Sequence, residues 1–190
     1  MNLAFSKYHG AGNDFIMIDA RKLDESLFKR DIVHFMCDRH LGIGADGLIL
    51  LQSSKGYDFS MKYFNADGNE GTMCGNGGRC IAAFAKSLGI IKKSTKFEGI
   101  DGIHEAKFIS DNLLRLKMID VEEVVKLEDG FLIETGSRHF VLLKENIENI
   151  DVFNSGREIR YQNRFGKEGT NVNFVEIREN GVKIRTYERG

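Results

Sequence analysis

One cysteine in this chain stands where a thiol can do chemistry. Cys74 lies within Asn65-Ala66-Asp67-Gly68-Asn69-Glu70-Gly71-Thr72-Met73-Cys74-Gly75-Asn76-Gly77-Gly78-Arg79. A polar, Gly-rich loop precedes it, and Arg79 to Leu88 reads as a helix that is apolar on most sides. At such a junction backbone N–H groups point outward and the helix dipole favours negative charge. Both effects favour a thiolate, and the same N–H groups can hold a carboxylate. A base and an anion site therefore fall side by side. A lone cysteine is more often a buried structural thiol. Cys37, in an amphipathic segment, and Cys80, inside the apolar helix, fit that bland role far better than Cys74 does. The three cysteines lack zinc-ligand spacing and form no Cys-x-x-Cys pair, which argues against a metal site.

Other polar groups are weaker signals. His139 follows the turn Thr135-Gly136-Ser137-Arg138 and reads equally as a structural histidine or as an acid/base or carboxylate partner. Glu188-Arg189 reads by default as a solvated pair. Asn13, Asn65, Asn76 and Asn171 recur in Gly-rich loops. They are either turn formers or the lining of a pocket that grips amino and carboxylate groups through neutral hydrogen bonds.

The elements that must position these residues follow from periodicity. Phe15 to Asp19 is a β-rich run after the turn Gly10-Ala11-Gly12-Asn13-Asp14. Asp24 can cap a helix running to about His40, with Leu27, Phe28, Ile32, Phe35 and Met36 at helical spacing and Gly42 as its stop. Leu48 to Leu51 and Phe59 to Phe64 read as strands, followed by the apolar helix. Further strands are expected around Phe97, over Ile103 to Ile109 and over Leu113 to Ile119, with Ser110-Asp111-Asn112 as a hairpin turn. A second half starts near Asp120, with strands at Phe131 to Glu134, His139 to Leu143, Val172 to Ile177 and Val182 to Tyr187. Glu179-Asn180-Gly181 is a hairpin signal between the last two. Asn146 to Arg164 offers only a short helix and loop, so the second half reads as strands with nothing to wrap around.

Composition bounds the function. The 190 residues are 42% hydrophobic, enough for one ample core or two small ones. Lys and Arg number 27 against 28 Asp and Glu. Such a balance gives no footprint for nucleic acid or for an anionic membrane. No apolar run approaches the roughly 20 residues that span a bilayer, and the N-terminal residues do not read as a signal peptide. An odd, unevenly spaced cysteine count argues against a disulfide framework and for a reducing, cytoplasmic setting. With no proline and 21 glycines, turns fall to Gly, Asn and Asp.

Seven segments, in order, carry a resemblance. They are His9-Gly10-Ala11-Gly12-Asn13-Asp14-Phe15, Arg39-His40-Leu41-Gly42-Ile43-Gly44-Ala45-Asp46-Gly47, Phe64-Asn65-Ala66-Asp67-Gly68 and Met73-Cys74-Gly75-Asn76-Gly77-Gly78-Arg79. Then come Thr135-Gly136-Ser137-Arg138-His139, Gly169-Thr170-Asn171-Val172-Asn173-Phe174 and Tyr187-Glu188-Arg189-Gly190. Over essentially its whole length the chain resembles the diaminopimelate epimerases. The Asn after Cys74-Gly75 separates it from the related proline racemases, which carry His there. A Cys in place of an acidic residue separates it from the phenazine-biosynthesis-like isomerases.

The resemblance implies an α/β (α+β) fold of two domains, each a strand-rich layer curled around a central helix, with the active site between them. It implies an N-terminal epimerase domain over 1–118 and the first part of a C-terminal epimerase domain over 119–190. The implied reaction interconverts LL- and meso-2,6-diaminopimelate, in lysine and peptidoglycan precursor biosynthesis, by proton transfer between two cysteines on opposite faces of the α-carbon. No cofactor and no metal take part. Cys74 would be one acid/base. Asn13, Asn65, Gly75, Asn76, His139, Asn171, Glu188 and Arg189 would contact the substrate, Arg189 at its distal carboxylate. A cytoplasmic location and a homodimer of the full-length protein are implied, with no nucleic-acid or membrane partner. Three departures stand out. Gly47 replaces a Gln common in the family, Ser137-Arg138 replaces Asn-Pro, and the chain stops at Gly190, ahead of the family's second Cys-Gly-Thr-Gly. The second domain is therefore expected to be incomplete, to expose apolar strand faces and to leave these 190 residues inactive by themselves. A proline-type racemase and a non-catalytic ligand-binding member of the fold are the alternatives.

Overall fold

The computed structural model describes residues 2–111 and 113–188. The chain divides into two compact units, Met1–Met118 and Ile119–Gly190.

The first unit is built on two strands that are apolar without alternation. Such runs need cover on both faces. β2 (Asn13–Asp19) is buried from Phe15 to Ile18, and β3 (Gly47–Gln52) from Gly47 to Leu51. They pair in parallel, Phe15 opposite Gly47 and Ile18 opposite Leu50. β1 (Ser6–Gly10) adds to β2 through a two-residue turn in which Ala11 and Gly12 both have positive φ, 53° and 90°. That geometry suits the right-handed twist of a hairpin. β4 (Phe59–Asn65), β5 (Ser94–Gly99), β6 (Gly102–Ser110) and β7 (Leu113–Lys117) follow, and the sheet order is β1-β2-β3-β4-β5-β6-β7. In the expected turn Ser110-Asp111-Asn112, Asn112 lies outside the described residues; Ser110 pairs with Leu113 across it.

Each parallel pair of this sheet is bridged by a helix. α1 (Arg30–Cys37) connects β2 to β3 and α2 (Gly75–Ser87) connects β4 to β5. Phe15, Met17, Ile49, Phe59 and Met61 meet Ile81, Phe84 and Ala85 of α2. Ile16, Ile18, Leu48, Leu50 and Phe64 meet Phe28, Val33 and Cys37 on the α1 side.

Two helix expectations are corrected. The helix expected from Asp24 to His40 is broken. Asp24 does cap, accepting from the Ser26 N–H at 2.9 Å, but only a 3₁₀ turn at Glu25–Leu27 follows. The chain leaves helical geometry at Phe28 and restarts at Arg30. The restart shifts the phase, so Val33 and Cys37 are buried while Ile32 and Phe35 are 49% and 55% exposed. The apolar helix starts at Gly75, not Arg79, and the Gly78 N–H already donates to the Cys74 carbonyl at 2.8 Å. Glycine is a poor helix former, and tertiary packing overrides that preference here. Gly77 lies against Ile49 and Met61, and Gly10 of β1 lies against Asn76.

The second unit has sheet order β12-β11-β10-β9-β8, from β8 (Val124–Lys126), β9 (Phe131–Glu134), β10 (Arg138–Leu143), β11 (Asn171–Arg178) and β12 (Gly181–Tyr187). β10 and β11 are parallel, and the crossover between them contains α3 (Val152–Arg160). The expectation that these strands have nothing to pack on is corrected. Val152 and Ile159 of α3 join Ile147 and Phe165 over Phe140, Leu142, Val172 and Phe174. Helical spacing in this segment is masked because Asn154, Ser155 and Gly156 sit at its start; Asp151 caps it through the Asn154 N–H at 3.1 Å. The opposite sheet face carries Leu143, Ile177, Val182 and Ile184, all at least half exposed.

Candidate active site

Cys74 is the N-cap of α2, with extended backbone (φ −114°, ψ 123°), and its side chain makes no capping bond. The thiol lies instead 3.6 Å from Asn13 Oδ1. The N–H groups of Gly75, Asn76 and Gly77 precede the first helical hydrogen bond, so they point out of the helix mouth beside the thiol. Cys74 is partly buried, whereas Cys37 and Cys80 are buried. Burial pushes both of those thiols up to about 11, which keeps them protonated and unreactive near neutral pH.

Asn13 is held at both ends. Its Nδ2 donates to Asp46 Oδ2 at 2.9 Å, and its Oδ1 accepts from Asn76 Nδ2 at 3.4 Å as well as facing Cys74. The Arg79 guanidinium donates to Asn76 Oδ1. Behind Asn13, Arg39 bridges Asp14 and Asp46 at 2.8 Å each, and Lys7 donates to Asp14 at 2.7 Å. Partial burial raises the Asp14 carboxyl, but the Arg39, Lys7 and Asp46 N–H donors outweigh it and hold it far below the usual carboxylate range. This ion network joins the start of β2 to the start of β3. It fixes the loop end that carries Asn13.

Asn65 ends β4, and its Oδ1 accepts from the Tyr63 hydroxyl at 3.0 Å. The first unit thus brings Asn13, Cys74, Gly75 and Asn76 into one cluster at the mouth of α2, with Asn65 held through Tyr63.

In the second unit, His139 and Asn171 are register partners in parallel strands. Asn173 Nδ2 lies 3.1 Å from His139 Nδ1. His139 Nε2 lies 3.1 Å from Ser137 Oγ, and Asn171 Nδ2 lies 3.5 Å from the same nitrogen. Thr186 in turn fixes Asn173 Oδ1 at 3.0 Å. The buried Arg160 guanidinium donates to the Thr170 and Glu168 carbonyls at 2.8 and 2.9 Å, which clamps the loop before Asn171. Glu188 is exposed, one residue past β12, and Arg189 lies outside the described residues.

Sequence reasoning passed over Asp46, Arg39, Asp14, Tyr63, Asn173 and Arg160. The first three stood in the quoted motifs without a role, and only Asp46 next to a Gly-rich strand start hinted at one. Arg160 gave no signal, because an arginine late in a short helix reads as solvated. Among the described residues no group of three or more His, Cys, Asp or Glu is placed to hold a metal ion. Among the described residues no helix is long and apolar enough to cross a membrane. An open concavity of about 890 Å³ lies by Asp58, Lys96, Lys107, Arg115 and Lys117 and includes none of these site residues.

The fold is shared with solved structures of low sequence identity. A Bacillus anthracis phenazine biosynthesis protein of the PhzF family matches with a TM-score of 0.64 at 16% identity, over 97% of this chain and 70% of that one. A hydroxyproline epimerase from Agrobacterium vitis matches with a TM-score of 0.63 at 14% identity, over 96% and 68%. The architecture is therefore the mixed α/β one of these proteins, with a cysteine at the mouth of the first unit's central helix. Within that class the family model described as Diaminopimelate epimerase matches residues 5–122. The diaminopimelate epimerase of Flavobacterium psychrophilum is 49% identical over 185 residues, 97% of this chain and 72% of that protein. That of Aquifex aeolicus is 39% identical over 212 aligned positions, 99% and 74%. The chain belongs to the diaminopimelate epimerase family, whose members are isomerases acting on amino acids.

Proposed function

We propose that this chain carries the diaminopimelate-binding and proton-transfer machinery of a cofactor-independent epimerase, with Cys74 as one of two acid/base groups. The single observation that carries the reading is the Cys74 thiol at the N-cap of α2, free of capping duty and facing Asn13. The chemistry demands a base at an α-carbon whose carboxylate must absorb charge as the proton leaves. The N–H groups of Gly75 and Asn76 are suited to that carboxylate, and fixed donors of this kind are worth more in a site that excludes water. The neutral amides of Asn13, Asn65, Asn76 and Asn171 would grip amino and carboxylate groups without adding charge to the reacting centre. His139 would contact the substrate beside them. Glu188 would hold an ammonium, and Arg189 would meet the distal carboxylate with a two-pronged guanidinium.

The first unit corresponds, in this reading, to the N-terminal epimerase domain over 1–118, and the second to the opening part of a C-terminal domain over 119–190. Its open apolar sheet face supports that assignment. A homodimer of the full-length protein and a cytoplasmic location are part of the same proposal. Neither Cys37 nor Cys80 suits the second base, since both are buried and held protonated. We therefore expect the 190 residues alone to turn over little substrate.

Deuterium incorporation at the α-carbon in heavy water tests the proposal. Residual exchange should favour diaminopimelate over proline and vanish in Cys74→Ala. Full turnover, undiminished against a longer chain, would sink the two-base reading. A preference for proline or hydroxyproline would decide for the racemase alternative. Ligand binding that survives Cys74→Ser without any exchange would decide for a binding protein.

A further inference from the structure

The segment Met61 to Gly71 contains an aromatic residue whose surroundings are shaped for it alone. The Tyr63 ring lies between two glycines. A Cβ on Gly47 would fall 2.5 Å from Tyr63 Cε2 and 2.5 Å from the Phe64 carbonyl oxygen. A Cβ on Gly71 would fall 2.6 Å from Tyr63 Cδ1 and Cε1. Real Cβ atoms do not approach so closely, so neither position can carry a side chain while the ring stays. Phe15 closes the slot edge-on, with ring centroids 5.9 Å apart. The outcome of this confinement is a single polar contact, the Tyr63 hydroxyl to Asn65 Oδ1 at 3.0 Å.

We propose that Tyr63 is a positioning residue for Asn65, its hydroxyl pinning Oδ1 so that the amide nitrogen is the end offered to the substrate. The inference rests on the reading of Asn65 as a substrate contact. A carboxamide is nearly symmetric in shape, and only its hydrogen bonds decide which end faces a ligand. Tyr63 remains a phenol across the working pH range. Burial raises it well above the ordinary tyrosine value, and the negative charges of Cys74 and Asp46 push it further. The protonated phenol donates to Asn65 Oδ1, and that bond turns the amide nitrogen away from the ring. Among the described residues Asn65 Nδ2 has no protein acceptor, so it stays available to an anionic group such as a substrate carboxylate. The same slot accounts for the absence of a side chain at Gly47: Tyr63 fills the space from the neighbouring strand, across the register pair Gly47 and Asn65.

Tyr63→Phe keeps the ring in its slot and deletes only the donor, so it is the variant to test. Binding of meso-diaminopimelate by calorimetry should weaken roughly five- to tenfold, the equivalent of one neutral hydrogen bond. Side-chain amide resonances of Asn65 should lose their order in the same variant. In an Asn65→Ala background, Tyr63→Phe should weaken binding no further, a non-additivity that a merely structural tyrosine would not produce. Gly47→Ala, if it folds, should mimic Tyr63→Phe by displacing the ring. Unchanged affinity in Tyr63→Phe, beside a clear loss in Asn65→Ala, would overturn the inference and leave the function standing. Additive losses in the double variant would overturn it too. Equal affinity of Asn65→Ala and the unaltered chain would instead overturn Asn65 as a substrate contact, and the inference with it.

Discussion

Asp46 decides which end of Asn13 faces Cys74. The Asn13 amide nitrogen donates to Asp46 Oδ2 at 2.9 Å, and the amide oxygen is thereby turned toward the thiol at 3.6 Å. Two residues 33 positions apart in sequence are joined because β2 and β3 start side by side, with the Asp46 N–H also donating to the Asp14 carbonyl at 3.0 Å.

Removing that anchor should cost binding. In Asp46→Ala the Asn13 amide is free to turn, and Asn76 loses a fixed acceptor. Calorimetric affinity for diaminopimelate should fall roughly tenfold, in line with loss of a hydrogen bond to a charged group. An affinity within twofold of the unaltered chain would contradict the role given to Asp46.

The three cysteines should separate by reactivity. At pH 8, iodoacetamide should modify Cys74 and spare Cys37 and Cys80, which react only after unfolding; peptide mass mapping gives the order directly. Equal modification of all three in the folded chain would remove the argument that only Cys74 is chemically available.

The same two buried thiols make stability fall in alkali. Their folded values stand at about 11 against an ordinary 9.0. The unfolded chain ionises first, so the contribution is intact below pH 9 and is lost as the pH rises through 11. Each thiol accounts for on the order of 2 kcal/mol across that window. Urea midpoints measured from pH 8 to 11 should drop, and less steeply in Cys37→Ala. A flat profile would show that these thiols are more exposed than described.

Asp14 gives the opposite sign. Its carboxyl is held below the ordinary 3.8, so its stabilisation is full above that pH and is lost as the pH falls through the lowered value. Asp14→Asn should cost about 1–2 kcal/mol at pH 7, and the gap to the unaltered chain should narrow below about pH 4. A gap independent of pH would mean that shape, not charge, is what Asp14 supplies.

The open face of the second sheet should drive association. Leu143, Ile177, Val182 and Ile184 are exposed there, and Ile177 and Val182 are cross-strand partners. Contiguous apolar surface of this kind seeks cover. Ile184→Thr together with Val182→Thr keeps β propensity while lowering apolarity, and should reduce both dye binding and the apparent mass in gel filtration. Unaltered elution of the double variant would point to another surface.

Much of the fold was legible because its signals are local. Phe15 to Asp19 and Leu48 to Leu51 read as strands from their apolar, β-rich runs, and the structure pairs them in parallel. The hairpin at Glu179-Asn180 declared itself by turn chemistry, with Arg178 opposite Gly181. Helix boundaries were less legible. Gly75 to Gly78 is helical against its propensity, and the packing leaves no room for a side chain on Gly77 beside Ile49 or on Gly78 beside Met73 and Leu116. α3 was hidden by polar residues in its first turn. Its helical state follows from the sheet face it covers.

The residue types alone determined the chemistry. A cysteine set in Met73-Cys74-Gly75-Asn76-Gly77-Gly78, with asparagines in Gly-rich loops and the ordered motifs around them, defined the family and the kind of reaction. What tertiary structure decided is orientation. Asp46 sets the face of Asn13, Tyr63 that of Asn65, and Asn173 holds the His139 ring. A carboxamide or an imidazole has no intrinsic front, and only partners brought close by strand register can choose one.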